Sequence, residues 1–301
     1  MALAVVAVFC SGFQRLPQRL PSSAPVRPAS RAAAYMALPE LYVYDHCPFC
    51  VRVRVAAGVL GVPHKLVFMG NDDVETPTVR RLAPRLYPPH PLTTQSAAGH
   101  TRSRRALWQA MVGKKIAPIW VDEEGPMAES LDIIAKFDAG GQIAPASGRT
   151  DLKAWQKSVQ TLMRKLQRPR YVMVPLPEFM QKAGRDAFVA NHQMPPFEKS
   201  EWKGNPDMPL EQKYQKYSEA FAQTPELLAE ANAKVAELEG MIHAPEACTE
   251  GLGFSYDDVD LWARLRSLTV VKGLQIGPKT RAYLDHFAEA GDVPLYDVMA
   301  V

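Results

Sequence analysis

Leu41-Tyr42-Val43-Tyr44 is an aliphatic and aromatic run that predicts a β-strand. Val51, Val55 and Val59, joined by Ala56 and Leu60, then recur at helical spacing, with Arg52 and Arg54 between them and Gly61 where the helix closes. Pro63 to Met69 reads as a second strand, and strand, helix, strand in that order predicts a right-handed parallel unit. The polar turn Gly70-Asn71-Asp72-Asp73 opens another helix over Glu75 to Arg81. The rhythm then fails from Val79 to about Ala110, a stretch crowded with proline and arginine that reads as a long loop, uncommon inside a compact domain. Its only aromatics are Tyr87 and Trp108, so a solvated loop is favoured over a nucleic-acid surface.

Lys115 to Val121 resumes as a strand with Pro118 near its entry, where the missing N–H argues for a special turn, a cis bond among the options. Gly125-Pro126-Met127-Ala128 predicts a hairpin and short strand. Glu129-Ser130 then opens a helix over Leu131 to Phe137, with Ser130 placed to cap it or to hold an anion. Residues 139–150, rich in Gly, Ala and Pro, read as a linker. Beyond this linker the chain is helical, over Leu152 to Leu166 and Leu210 to Ile242, around an irregular Pro-rich stretch at 191–209. Ser255-Tyr256-Asp257-Asp258 reads as a capping box with Asp in place of Glu, ahead of an apolar face of Val259, Trp262, Leu265 and Leu268. Ser255 and Asp258 are structural on this reading, and Trp155, Trp202 and Trp262 are packing residues.

The candidate chemistry lies in Asp45-His46-Cys47-Pro48-Phe49-Cys50, two thiols one helical turn apart just after the first strand. A helix beginning there aims its first backbone N–H groups at the Cys47 sulfur and favours the thiolate, which makes Cys47 the attacking cysteine. Pro48 suits the first helical position, and Cys50 is near enough to attack any disulfide that Cys47 forms. Half of a zinc site is the competing reading. A second ligand pair is missing, because the remaining cysteines are the isolated Cys10 and Cys248, so no metal is expected. His46 reads as a turn residue before it reads as a proton carrier.

Composition adds bounds. At 301 residues, 47% hydrophobic and 22% charged, the chain has room for two globular domains, and a net charge of +3 implies no general nucleic-acid partner. Four cysteines make no disulfide framework, and no apolar stretch is long enough for a membrane span. Residues 1–39 carry Arg15, Arg19, Arg27 and Arg31 and no acid before Glu40, the composition of a transit peptide into a plastid or mitochondrion. The short apolar run Leu3 to Phe9 is the alternative, a signal core. A start at Met36 would give a cytoplasmic form.

By these residues the chain resembles the glutaredoxins, in particular the larger bacterial class in which a thioredoxin-like domain precedes a helical domain of glutathione-transferase shape. The resemblance runs from Leu41 to Val301. It rests on Tyr42 to Cys50, Asn71 to Thr78, Met111 to Pro118 and Met127 to Ile133, with a fifth block at Ser255 to Thr269. It implies an α/β thioredoxin-like domain at 39–138 with an insertion at about 79–110, a linker at 139–150 and an all-α glutathione-transferase-like domain at 151–301. Residues 1–38 form the targeting segment.

The same resemblance implies glutathione as co-substrate, with Cys47 and Cys50 catalytic and glutathione held by Phe49, Ala117, cis-Pro118, Glu129 and Ser130. In that arrangement the Ala117 backbone pairs with the tripeptide, and Glu129 and Ser130 hold its γ-glutamyl end. Phe49 stands where Tyr is more usual in this class, and Ala117 where Val is common. Val79 to Gln109 has no counterpart in the family, and its end codons are compatible with an unspliced in-frame intron as well as with an exposed loop. The implied partners are glutathionylated or disulfide-containing proteins, acted on by a monomer away from membranes and nucleic acid. A cysteine-type glutathione transferase or dehydroascorbate reductase is the enzymatic alternative, and a non-catalytic interaction module the other.

Overall fold

Strand β1 (Glu40–Val43) is buried at all four positions, so both of its faces are covered. Leu41 and Val43 enter one apolar cluster and Tyr42 another, beside Met69 and Ile119, which is the two-residue alternation of a strand. The structure is a computed structural model that describes residues 38–70 and 117–301, all within the unit Leu38–Val301. From β1 the chain turns through Asp45 and His46 into α1 (Pro48–Val59) and returns as β2 (Lys65–Phe68), parallel to β1. β3 (Ile119–Asp122) and β4 (Gly125–Ala128) extend the sheet antiparallel in the order β2-β1-β3-β4, and α2 (Ser130–Phe137) comes next. The helix expected over Glu75 to Arg81, the loop expected at 79–110 and, up to Ala37, the targeting segment expected at the amino terminus fall outside the described residues.

α1 is covered on two sides. Cys50, Val53 and Ala56 join Leu41, Val43, Trp120 and Ile133 in the cluster against the sheet. Val51 and Val55, four residues apart, join Trp155, Leu261, Trp262 and Phe287 among the helices. The approach on that second side is close: a Cβ added at Gly58 would stand 2.0 Å from the Gly291 carbonyl oxygen. The helix ends as Gly61 implied, in a left-handed residue, with Val62 N donating to Ala57 O at 2.8 Å and Gly61 N to Gly58 O at 2.9 Å.

The helical layer starts with α3 (Thr150–Tyr171), longer at both ends than the periodicity suggested. A 3-10 turn at Pro177–Phe179 leads to α4 (Lys182–Asn191). The stretch read as irregular contains a short helix, α5 (Lys199–Trp202), which seats Trp202 with its indole N–H on Val189 O at 2.7 Å. The helical stretch expected over Leu210 to Ile242 is divided into three helices: α6 (Leu210–Ala222), α7 (Thr224–Ala236) and α8 (Leu238–Met241). Pro225 explains the first break, because without an N–H it is tolerated only in a helix's opening turn.

α9 (Tyr256–Arg266) and α10 (Pro278–Ala290) complete the layer. The capping box forms, with Ser255 N and Oγ on Asp258 Oδ2 at 2.9 and 2.6 Å. Asp258 Oδ1 accepts further bonds from Cys248 N at 2.6 Å and Tyr283 OH at 3.1 Å, so this carboxylate is a fully bonded structural hub. Trp155, Trp202 and Trp262 are all buried.

Candidate active site

Sheet register gathers the sequence-predicted residues at one edge. Ile119 pairs with Tyr42 on one side and Ala128 on the other. The segment after β1, which carries Cys47, therefore lies next to Ala117 and Pro118 at the entry to β3, and these lie next to Glu129 and Ser130 at the exit from β4. The Ala117–Pro118 bond is cis. Cys47 and Ala117 both pack on the cluster that contains Cys50. Ser130 is buried as the first residue of α2, and Glu129, not Ser130, occupies the position ahead of the helix. Glu129 is exposed and has φ +72°, a backbone state that non-glycine residues rarely adopt and that is concentrated at functional sites.

Cys47 is held from both of its upstream neighbours by the helical layer. The Asp45 carboxylate accepts from Arg54 of α1 and from Arg266 of α9, the latter through two contacts of 3.1 Å. Arg266 also donates to Asp45 O at 2.9 Å and to Tyr296 OH at 2.6 Å, and Tyr296 OH donates to Asp45 O at 2.8 Å. Burial alone would raise the Asp45 pKa. The charge of Arg266, then that of Arg54, outweighs it and holds the carboxyl below its usual range.

His46 is equally enclosed. Its backbone N–H donates to Glu178 Oε1 at 2.8 Å, and its Nδ1 lies 2.6 Å from the same oxygen. Its ring sits against Tyr44, Tyr171, Phe179 and Phe188. Glu178 is 1% exposed, and its Oε2 has no hydrogen-bond partner among the described residues. His46 is a turn residue as expected, and the turn is enclosed: Asp45 is buried, and His46 is bonded to Glu178 of the helical layer.

The two sulfurs end in opposite states. Cys47 stands immediately before α1, with Pro48 first in the helix. A hydrogen bond from the Cys50 thiol lowers the Cys47 pKa most; burial opposes it, and His46 together with the N–H groups of Cys50 and Phe49 completes the drop to about 6. Cys50 is wholly buried, and that burial, followed by the Cys47 sulfur and with a smaller push from Glu178, drives its pKa up. One His46–Glu178 pair thus favours the anion at one sulfur and the neutral thiol at the other. Alkylation of Cys47 by iodoacetamide should rise with a midpoint near pH 6 and be almost level above pH 7.5. Cys50→Ala, which removes the donor, should shift the midpoint upward; an unshifted midpoint would contradict this account of the thiolate.

A cleft of about 430 Å³ opens on Cys47, with His46, Pro48 and Phe49 beside it. Phe49 is 47% exposed, with the Arg52 guanidinium 4.9 Å from its ring centroid. The opposite wall is α3, through Gln156, Gln160, Arg164, Gln167 and Arg168, with Arg264 at the side. Ala117, Pro118, Glu129 and Ser130 do not line this cleft and form the other flank of Cys47. Sequence reading missed Arg54, Glu178, Arg266 and Tyr296. Of these only Arg54 carried a signal, a charge set among the valines of a buried helix. Cys248 is buried, which raises its pKa well above the ordinary thiol range and leaves it a packing residue. Cys10 lies outside the described residues. Among the described residues no group of three or more His, Cys, Asp or Glu side chains is placed to hold a metal ion, and no helix is long and apolar enough to cross a membrane.

A thioredoxin-like sheet with a cis-proline beside a Cys-Pro-Phe-Cys turn, backed by an all-helical layer, defines a thiol-active protein of glutathione-transferase fold. Comparison with known proteins narrows the class. Residues 46–139 match the family described as glutathione S-transferase, N-terminal domain, and residues 209–300 match glutaredoxin 2, C terminal domain. Glutaredoxin 2 of Escherichia coli K12 is 27% identical over 265 residues, which covers 87% of this chain and 100% of that protein. The crystal structure of glutaredoxin 2 from Salmonella typhimurium in complex with glutathione superposes with a TM-score of 0.65 at 24% identity, covering 87% of this chain and 99% of that one. The two family matches follow the order of the fold, a glutathione S-transferase N-terminal domain ahead of a glutaredoxin 2 C-terminal domain, and the chain is similar to glutaredoxin 2 over most of its length.

Proposed function

We propose that this protein is a glutathione-dependent thiol-disulfide oxidoreductase that reduces protein-glutathione mixed disulfides and protein disulfides. The observation that carries the reading is the pairing of an accessible Cys47 thiolate with a buried, protonated Cys50 one turn away. The Cys47 sulfur attacks the glutathione sulfur of a mixed disulfide. A Cys47–glutathione disulfide forms, the bond between glutathione and the protein breaks, and the released protein thiolate takes up a proton. A second glutathione thiolate then attacks the bound glutathione sulfur, giving glutathione disulfide and restoring the Cys47 thiolate. Cys50 opens the route for protein disulfides: its thiol, on losing a proton, displaces the substrate from Cys47 and forms an internal disulfide that glutathione reduces.

Ala117 and Pro118 together with the neighbouring Glu129 and Ser130, on one flank of Cys47, supply the glutathione site in this reading. The peptide groups at the entry to β3 are placed to pair with the tripeptide backbone, and the first turn of α2 favours a carboxylate. The glutathione complex of the Salmonella relative supports this assignment of ligand. The test is turnover of a glutathionylated protein with glutathione, monitored by coupled reduction of glutathione disulfide. Reduction of that substrate in preference to dehydroascorbate is expected. Faster turnover of dehydroascorbate would assign the chain to the cysteine-type transferases and dehydroascorbate reductases, and no turnover of either would leave an interaction module.

A further inference from the structure

The wall of the cleft opposite Cys47 carries charge that nothing in the reaction so far uses. Gln156, Gln160, Arg164 and Arg168 recur every fourth residue on α3 and face the same cavity, joined by Gln167 and Arg264. No carboxylate lines this cavity among the described residues. Arg264 is held by Asp260 at 3.2 Å, and Asp260 also takes Arg52. Arg168 donates to Gln193 O, a neutral acceptor, and neither Arg164 nor Arg168 has an ion pair among the described residues. Two guanidinium groups four residues apart repel each other, and burial of Arg168 adds to the penalty on its charge, so its pKa is lowered by desolvation first and by Arg164 as well. An arrangement of like charges around a cavity without a counterion is one that an incoming anion relieves.

Cys47 stands between two flanks. The flank with Ala117, Pro118, Glu129 and Ser130 is taken by glutathione in the proposed reaction, so the Arg-bearing flank faces the other half of the disulfide under attack. We propose that Arg164 and Arg168 form an anion subsite for carboxylates flanking the substrate cysteine, which makes glutathionylated cysteines in acidic peptide segments the favoured substrates. The arginine fork matches a carboxylate in two-point geometry, and Gln160 beside it supplies a donor to a peptide carbonyl, Gln167 being bonded to Ser267 and Gln156 to Asp260. The inference rests on the glutathione-disulfide reading and specifies which protein disulfides that activity selects.

The test uses two glutathionylated peptides, identical except that glutamates flank the cysteine in one and lysines in the other. The full chain is assayed at low and at moderate salt. The acidic peptide is expected to have the higher kcat/KM by about tenfold, the size that two partly exposed charge pairs give, through a lower KM and with the ratio shrinking as salt rises. In the Arg164→Gln, Arg168→Gln double variant the ratio should fall close to one, while turnover of the lysine peptide reports that the protein is folded. Lys153→Gln, Lys157→Gln removes the same charge from the exposed face of the same helix and should leave the ratio unchanged. Equal kcat/KM for both peptides, a preference that survives the arginine variant, or a preference lost equally in the lysine variant would each overturn the subsite. Failure to reduce either peptide would instead overturn the glutathione-disulfide activity on which it rests.

Discussion

Cys47→Ser is expected to abolish reduction of a glutathionylated protein, a loss on the order of a thousandfold or more, whereas Cys50→Ser keeps a large part of the activity. The asymmetry arises from the two environments. Cys47 has the amino-terminal turn of α1, His46 and a donated Cys50 proton to hold a thiolate, with its pKa brought to about 6. Cys50 has only the Tyr44 N–H, at 3.4 Å, against complete burial. A serine hydroxyl at position 50 still donates to Cys47, so the first cysteine stays activated. A serine at position 47 offers no anion at neutral pH. Steady-state turnover of both variants on the same substrate is the measurement, and equal loss in the two would contradict the assigned roles.

Arg266→Met is expected to destabilise the protein by about 3–5 kcal/mol, because it strips a buried carboxylate of its main counter-charge. Arg266 is 1% exposed and reaches Asp45, Tyr296 and the Pro294 carbonyl, so no water is on hand to replace what it gives. Asp45→Asn combined with Arg266→Met should not recover the loss, since Arg54, 5% exposed and also paired with Asp45, is then left without its carboxylate. Urea unfolding of the single and double variants reads both effects. The pH dependence has a definite sign. The folded Asp45 pKa is depressed, so its contribution is complete above the unfolded value of about 4 and disappears as pH falls through the folded one. In Arg266→Met that contribution shrinks, and the acid transition should move to higher pH.

Local pattern made much of this molecule legible. The strand at Leu41-Tyr42-Val43 is read from a short unbroken apolar run, which suits a strand covered on both faces, and α1 is read from the valines because four-residue spacing stacks them on one side. The capping box at Ser255 and Asp258 is likewise a short-range device, and it forms as written. Helical periodicity over Leu210 to Ile242 is also local, while the division into separate helices follows from Pro225, a residue that cannot sit mid-helix.

What the sequence hid is long-range. Asp45 and Arg266 are 221 positions apart and His46 and Glu178 are 132 apart, so no window of residues reveals that each neighbour of Cys47 is fixed by the helical layer. An Asp-His pair before a cysteine reads as a polar turn, and nothing local shows the partners that bury it. The cationic wall on α3 was hidden for a related reason. Its arginines have ordinary helical spacing, and only the fold turns them toward a sulfur.

The most direct measurement is mass spectrometry of Cys50→Ser after reaction with a glutathionylated protein, without free glutathione. The account predicts one glutathionyl group on Cys47 and release of the substrate as free thiol. A substrate protein retained on Cys47 with glutathione released, or an unmodified Cys47, would contradict it.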